Sequence, residues 1–194
     1  MGEPAKQRPA TYADLEAVPL HLVAEIVDGV LHTFPRPASP HGAAATSLTM
    51  DLGQPFQRGR GGPGGWWFIV EPELHLGDDV LVPDLAGWRR ERMPLIPTVK
   101  FFTLPPDWVC EVLSPSTATH DRLRKMPVYA RAGVMWLWLL DPLAKSLEVF
   151  HLFDRKRYAQ EQTFVEGEVV RASPFDAIEL DLTAIWDAIA PDEG

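Results

Sequence analysis

The sequence predicts a mixed α/β fold: a central sheet flanked by helices, with added antiparallel strands. Three observations carry that reading. Residues 108–113 and 134–140 are short apolar runs separated by a helical stretch, and a strand–helix–strand unit of about 30 residues makes its two strands parallel neighbours. Residues 24–27 and 30–34 flank Asp28-Gly29, a dipeptide that supplies the positive φ values of a tight hairpin turn. Residues 146–153, 157–160 and 169–171 form further strand-like runs with turns at Asp154 and Gly167, the pattern of antiparallel additions.

Taken in order, residues 1–10 are polar and proline-containing and are expected to be a disordered tail. Residues 11–190 are expected to form one domain, a length sufficient for a sizeable core. Thr11 reads as the N-cap of a short helix with Asp14 in its first turn. Residues 41–57 read as a helix whose stripe is Ala44, Leu48, Leu52 and Phe56. The run GRGGPGG that follows has neither the Lys-Ser/Thr of a phosphate loop nor dinucleotide spacing. Residues 66–70 read as a strand that 73–76 continues or pairs with. Residues 80–88 read as another, interrupted by Pro83, so Asp84 sits at a kink. Residues 89–106 form a loop. Residues 119–132 read as a helix ending at Gly133, a left-handed C-cap. Along it Leu123, Met126 and Ala130 form an expected core-facing stripe, while Asp121, Lys125 and Tyr129 share a second face. Pro127 removes an N–H from that helix and should kink it. Residues 178–189 read as a terminal docking helix.

Composition bounds the function. No apolar run approaches the roughly 20 residues of a bilayer span, and the N-terminal stretch lacks the apolar core of a signal peptide. The one cysteine, Cys110, cannot build a disulfide framework or a Cys-based zinc site, which points to a reducing cytoplasm. The net charge of −9 argues against a protein held to nucleic acid by bulk electrostatics. It is compatible with a nuclease whose basic clusters or bound ions reverse the field locally. Such clusters are Arg89-Arg90 with Arg92, Arg122-Arg124-Lys125, and residues 155–157; the plainer reading is solvated surface.

Three acids interrupt apolar strands: Glu25, Asp84 and Glu111. A carboxylate in a buried strand is costly unless a cation or several donors compensate it. Two such acids on adjacent strands can hold Mg²⁺ through oxygen ligands while leaving waters for a phosphate and a nucleophile. Lys125 is the best-placed cation to stabilise developing phosphate charge. His41 opens a helix and could reach a site at the strand ends. His120 lies beside Asp121. No histidine pair has zinc-hydrolase spacing, and Ser114 and Ser116 are not in a G-x-S-x-G elbow.

The ordered set EIVDG (25–29), His41, VPD (82–84), PPDWVCEVLSPST (105–117), Asp121, Lys125, Tyr129, AGV (132–134) and LLDP (139–142) resembles the Uma-type restriction endonuclease family of the PD-(D/E)XK nuclease superfamily. That resemblance implies a restriction-endonuclease-like core, Asp84 and Glu111 as ligands of Mg²⁺ (or Mn²⁺), and DNA as substrate. In the superfamily's usual pattern a lysine stands two residues after the second acid; here Leu113 holds that place, and Lys125 on the following helix matches the migrated lysine. Glu25 and His41 also match family positions, Glu25 as a catalytic residue with Asp84, Glu111 and Lys125, and His41 as an accessory residue with Asp121 and Tyr129. The implied function is a metal-dependent DNA endonuclease, with a homodimer as an expectation for cutting both strands. The alternative is a catalytically degenerate nuclease fold that serves as a nucleic-acid- or protein-binding module.

Overall fold

The computed structural model describes residues 8–154 and 156–187. Residues 1–7 of the expected tail lie outside the described residues. Residues 8–10 are tied down: Ala10 N–H donates to Gly29 O at 2.8 Å, and Arg8 pairs with Asp14 at 2.7 Å. Helix α1 (Tyr12–Glu16) begins with the expected capping box of Thr11 and Asp14. Strands β1 (Leu22–Val27) and β2 (Val30–Pro35) form the hairpin, with Asp28 and Gly29 both at positive φ.

Helix α2 (Ser39–Leu52) buries Ala44, Leu48 and Leu52 as the stripe predicts. Its continuation, Gly53–Gln57, widens to π-helical hydrogen bonding and buries Phe56, around a proline that cannot donate. Strand β3 (Trp66–Val70) follows, then β4 (Leu74–Leu76). Here the sequence reading needs correction: β4 neither continues β3 nor pairs with it. Glu71 takes φ 46, the chain turns, and β4 pairs with β5 (Asp79–Leu81) in another sheet. Pro83 then divides the next apolar run in two, so that β5 and β6 (Leu85–Arg89) belong to different sheets with Asp84 at the junction.

Strand β7 (Trp108–Val112) leads through α3 (Ala118–His120), a π-helical turn (Asp121–Lys125) and α4 (Met126–Ala132) to β8 (Trp136–Asp141). Gly133 caps α4 at φ 81, and β7 and β8 are parallel, as the crossover requires. The hairpin β9 (Ser146–Asp154) and β10 (Arg157–Val165) completes a six-stranded mixed sheet in the order β10-β9-β8-β7-β6-β3. A four-stranded antiparallel sheet, β2-β1-β5-β4, lies beside it in the topology. The short strands β11 (Val169–Val170) and β12 (Leu180–Asp181) pair, and the terminal helix is α5 (Leu182–Trp186). It starts later than residue 178 because β12 takes the preceding residues; 188–189 of the expected helix lie outside the described residues.

The six-stranded sheet has a core on each face. Trp108, Cys110, Val112 and Trp138 pack with α2 and α5, while Val109, Leu113, Leu137 and Leu139 pack with Val128 and Tyr129 of α4. Side chains alternate along a strand, so Glu111 emerges on the α4 side. Strand β8, buried at four successive positions, is central. Leu123 corrects the predicted helix stripe: it is 67 % exposed. Pro127 has no N–H for the Leu123 carbonyl, and Met126 N–H donates to Asp121 O, one residue further back than in an α-helix. That extra residue per turn rotates Leu123 to solvent.

Candidate active site

Each predicted acid arrives on a different element. Asp84 is presented by the Pro83 break between two sheets, Glu111 by the central strand β7, Glu25 by β1 and Asp121 by the π-helical turn. All four line one cavity of about 460 Å³, together with His41, His120 and Lys125. Asp84 Oδ2 accepts the Val112 N–H at 2.6 Å, and Asp84 Oδ1 lies 3.2 Å from His41 Nε2. This ties the acid to the residue next to Glu111 and ties the start of α2 to the site.

Lys125 sits among the remaining acids. Its Nζ lies 2.9 Å from Glu111 Oε2, 3.0 Å from Glu25 Oε1 and 3.6 Å from Asp121 Oδ1, and it donates to Val82 O at 3.2 Å. Only 4 % of Lys125 is exposed, so Lys125 belongs to a buried ionic cluster and not to the solvated basic surface. Tyr129 Oη donates to Glu111 Oε1 at 2.5 Å. Asp121, Lys125 and Tyr129 thus share a face despite the π-helical turn. Leu113, where a strand lysine would stand, is buried in the apolar core.

Sequence reasoning undervalued His120. Its Nε2 lies 3.0 Å from Glu25 Oε2, with the imidazole packed on His32 and Phe34 at centroid distances of 4.6 and 4.7 Å. The signal was a histidine beside Asp121, discounted because no second ligand stood at metal spacing. Its partner comes from a remote strand.

Burial dominates the titration of this cluster. Burial raises the Glu111 carboxyl well above its ordinary value, against the pull of Lys125, and Asp121, Asp84 and Glu25 add to the rise. Asp121 is raised for the same reasons. Burial also pushes Glu25 up, but Lys125, His120 and the Val82 N–H together outweigh it and hold Glu25 at about 2. Burial depresses Lys125, yet Glu111 and Glu25 hold its ammonium well above the usual range. His41 is lowered by burial and raised further by Asp84, for a net rise.

Among the described residues, no group of three or more His, Cys, Asp or Glu side chains is gathered as a metal-binding set. The donor chemistry nonetheless suits a hard divalent cation: Asp84 lines the same cavity as Glu25, Glu111 and Asp121, which pair with a single lysine, so oxygen donors outnumber the lysine there. No helix among the described residues is long and apolar enough to cross a membrane.

No curated protein matches the sequence. Among solved structures, a putative nuclease belonging to DUF820 from Anabaena variabilis superposes with a TM-score of 0.75 at 21 % identity, over 92 % of this chain and 98 % of that one. At that identity the likeness shows a shared fold. Over residues 9–184 the sequence matches the Uma2 family, described as "Putative restriction endonuclease", and the chain belongs to that family.

Proposed function

We propose that the protein is a Mg²⁺- or Mn²⁺-dependent endonuclease that hydrolyses phosphodiester bonds of DNA through a PD-(D/E)XK-type site. The observation that carries this reading is the convergence of Asp84, Glu111 and Lys125 on one cavity within a nuclease-family fold. Asp84 and Glu111 would hold the divalent ion. When bound, such an ion supplies Lewis acidity and lowers the pKa of a water.

The chain's own residues do the rest. Lys125 remains an ammonium because Glu25, Glu111 and Asp121 surround it, so it can stabilise charge on a phosphate oxygen as the bond to the leaving oxygen breaks. Glu25 also pairs with Lys125, and the Val82 N–H fixes Glu25. Tyr129 orients Glu111 and His41 orients Asp84. The lysine thereby reaches the second acid from the crossover helix, which makes Leu113 compatible with catalysis.

Plasmid and oligonucleotide cleavage in Mn²⁺ tests the proposal, with Asp84→Ala as control. Cleavage that Asp84→Ala removes is the expected result. The net charge of −9 favours a second reading, a non-catalytic binding module on the same fold. Absence of cleavage with either ion, with nucleic acid still bound, would establish that one. Cutting both strands of a duplex would be served by a homodimer, which sedimentation can detect.

A further inference from the structure

The acids and Lys125 account for only part of the cavity. Its lining continues over Leu15 and Val18, Leu20, Ala24 and the ring of Phe34. Phe34 is half-buried on β2, with its ring 4.7 Å from His120 and stacked near-parallel to His32 at 6.5 Å. His120 in turn holds Glu25, and Glu25 holds Lys125. An aromatic wall is thus two side chains away from the lysine. The proposed hydrolysis makes no use of this wall.

Charge sets the second constraint. Beyond the four central acids, Glu16, Glu71 and Glu73 also line the cavity, against Arg36 and Lys125 as its lysine and arginine cations. Arg36 lies 3.9 Å from Glu71 and donates to Leu20 O at 3.2 Å. A duplex carries a phosphate charge about every 1.7 Å of its axis and is bound chiefly by lysine and arginine. Outside the immediate reach of the divalent ion proposed for Asp84 and Glu111, this lining offers a continuous phosphate backbone little attraction. The apolar and aromatic surface offers an uncharged base a good deal, since every base has a π-face that stacks on an aromatic ring.

We infer that the Phe34 side of the cavity seats one unstacked nucleobase, so that the strand meets Asp84, Glu111 and Lys125 as a single-stranded or locally unpaired segment. The inference rests on the nuclease reading. A cavity of about 460 Å³ falls in the range of sites for small ligands, room enough for one base. A base taken out of its stack meets an apolar pocket in other enzymes that act on nucleic acids, where unpairing costs least when the substrate is already single-stranded.

The test measures kcat/KM in Mn²⁺ on a single-stranded oligonucleotide, on the same sequence as a duplex, and on a single strand with one abasic position at the cleaved site. Wild-type, Phe34→Ala and Phe34→Trp proteins are compared, with circular dichroism melts confirming that each is folded. The single strand should be preferred over the duplex. Phe34→Ala should lower kcat/KM on the single strand by roughly 5- to 150-fold, the stacking contribution of one base, and Phe34→Trp should restore it. The abasic strand should lose the same factor in the wild type and nothing further in Phe34→Ala. Equal cleavage of duplex and single strand, or equal cleavage of the intact and abasic strands, overturns the inference and leaves the nuclease reading standing. Cleavage of no substrate by the wild type overturns both.

Discussion

His120 and Glu25 form the outer end of a buried chain of polar contacts. His120 Nε2 lies 3.0 Å from Glu25 Oε2, the other oxygen of that carboxylate lies 3.0 Å from Lys125 Nζ, and Lys125 hands on to Glu111 and then Tyr129. The chain joins the β1–β2 hairpin, the crossover helix and the central strand through charge, in a place where the surrounding packing is apolar.

Lys125→Ala is expected to abolish cleavage and also to destabilise the fold by about 3–5 kcal/mol, the usual effect of removing one partner from a buried ion pair. Glu25, Glu111 and Asp121 would all lose their neutralising neighbour. Urea unfolding alongside the cleavage assay measures both effects. A fully stable and active variant would show that the ammonium serves neither purpose.

Glu25 makes stability depend on acid in a defined window. Burial alone would raise its pKa, but Lys125, His120 and Val82 lower it from 4.5 to about 2. A depressed carboxylate contributes stability above its unfolded pKa and loses it as pH falls through the folded one. Wild-type stability should therefore decline between about pH 4.5 and pH 2, in part through Glu25. Glu25→Gln should show a shallower decline over that window. Denaturant titrations at stepped pH give the comparison, and parallel curves would remove Glu25 from the account.

Asp84 has a structural partner as well as its proposed ligand role, because it accepts the Val112 N–H at 2.6 Å. Asp84→Ala leaves that N–H without its acceptor and should cost about 1–3 kcal/mol. Asp84→Asn keeps an acceptor oxygen and should cost less. Both should weaken Mn²⁺ binding in calorimetry. Unaltered Mn²⁺ affinity in both variants would place the ion elsewhere.

Trp138 tests the packing of the central sheet. It is fully buried, its ring meets Trp108 edge-on at 5.4 Å, and its Nε1 donates to Ser173 O at 2.8 Å. Trp138→Ala should cost about 3–5 kcal/mol. Trp136→Ala should cost less, because that side chain is only half-buried at the strand's start. Equal losses would mean that this face of β8 is packed as tightly at the strand's start as at its middle.

Much of the site was legible because charge in an apolar run is conspicuous. Glu111 could not be a surface residue in its strand, and helical spacing placed Asp121, Lys125 and Tyr129 together. What the sequence concealed were contacts fixed by chain reversal. Glu71 turns the backbone so that β4 joins the hairpin sheet; periodicity says nothing of which sheet a strand enters. Pro127 announced an irregular helix, but the α-helical period used for Leu123 failed where the π-helical turn added a residue. His120 could be paired with Glu25 only once the hairpin and the crossover helix were seen to meet. Strand β12, two residues long, is too short to leave a pattern.

The Pro83 junction has a consequence for synthesis on the ribosome. Asp84, set by it between two sheets, shares a cavity with Glu25 from an early strand and with Lys125 from a helix made much later. Such distant contacts form slowly, since the intervening chain must be closed into loops first. A nascent chain that stops short of the crossover helix therefore carries its acids without their cation. The proposed active site would stay unassembled until Lys125 had emerged from the exit tunnel.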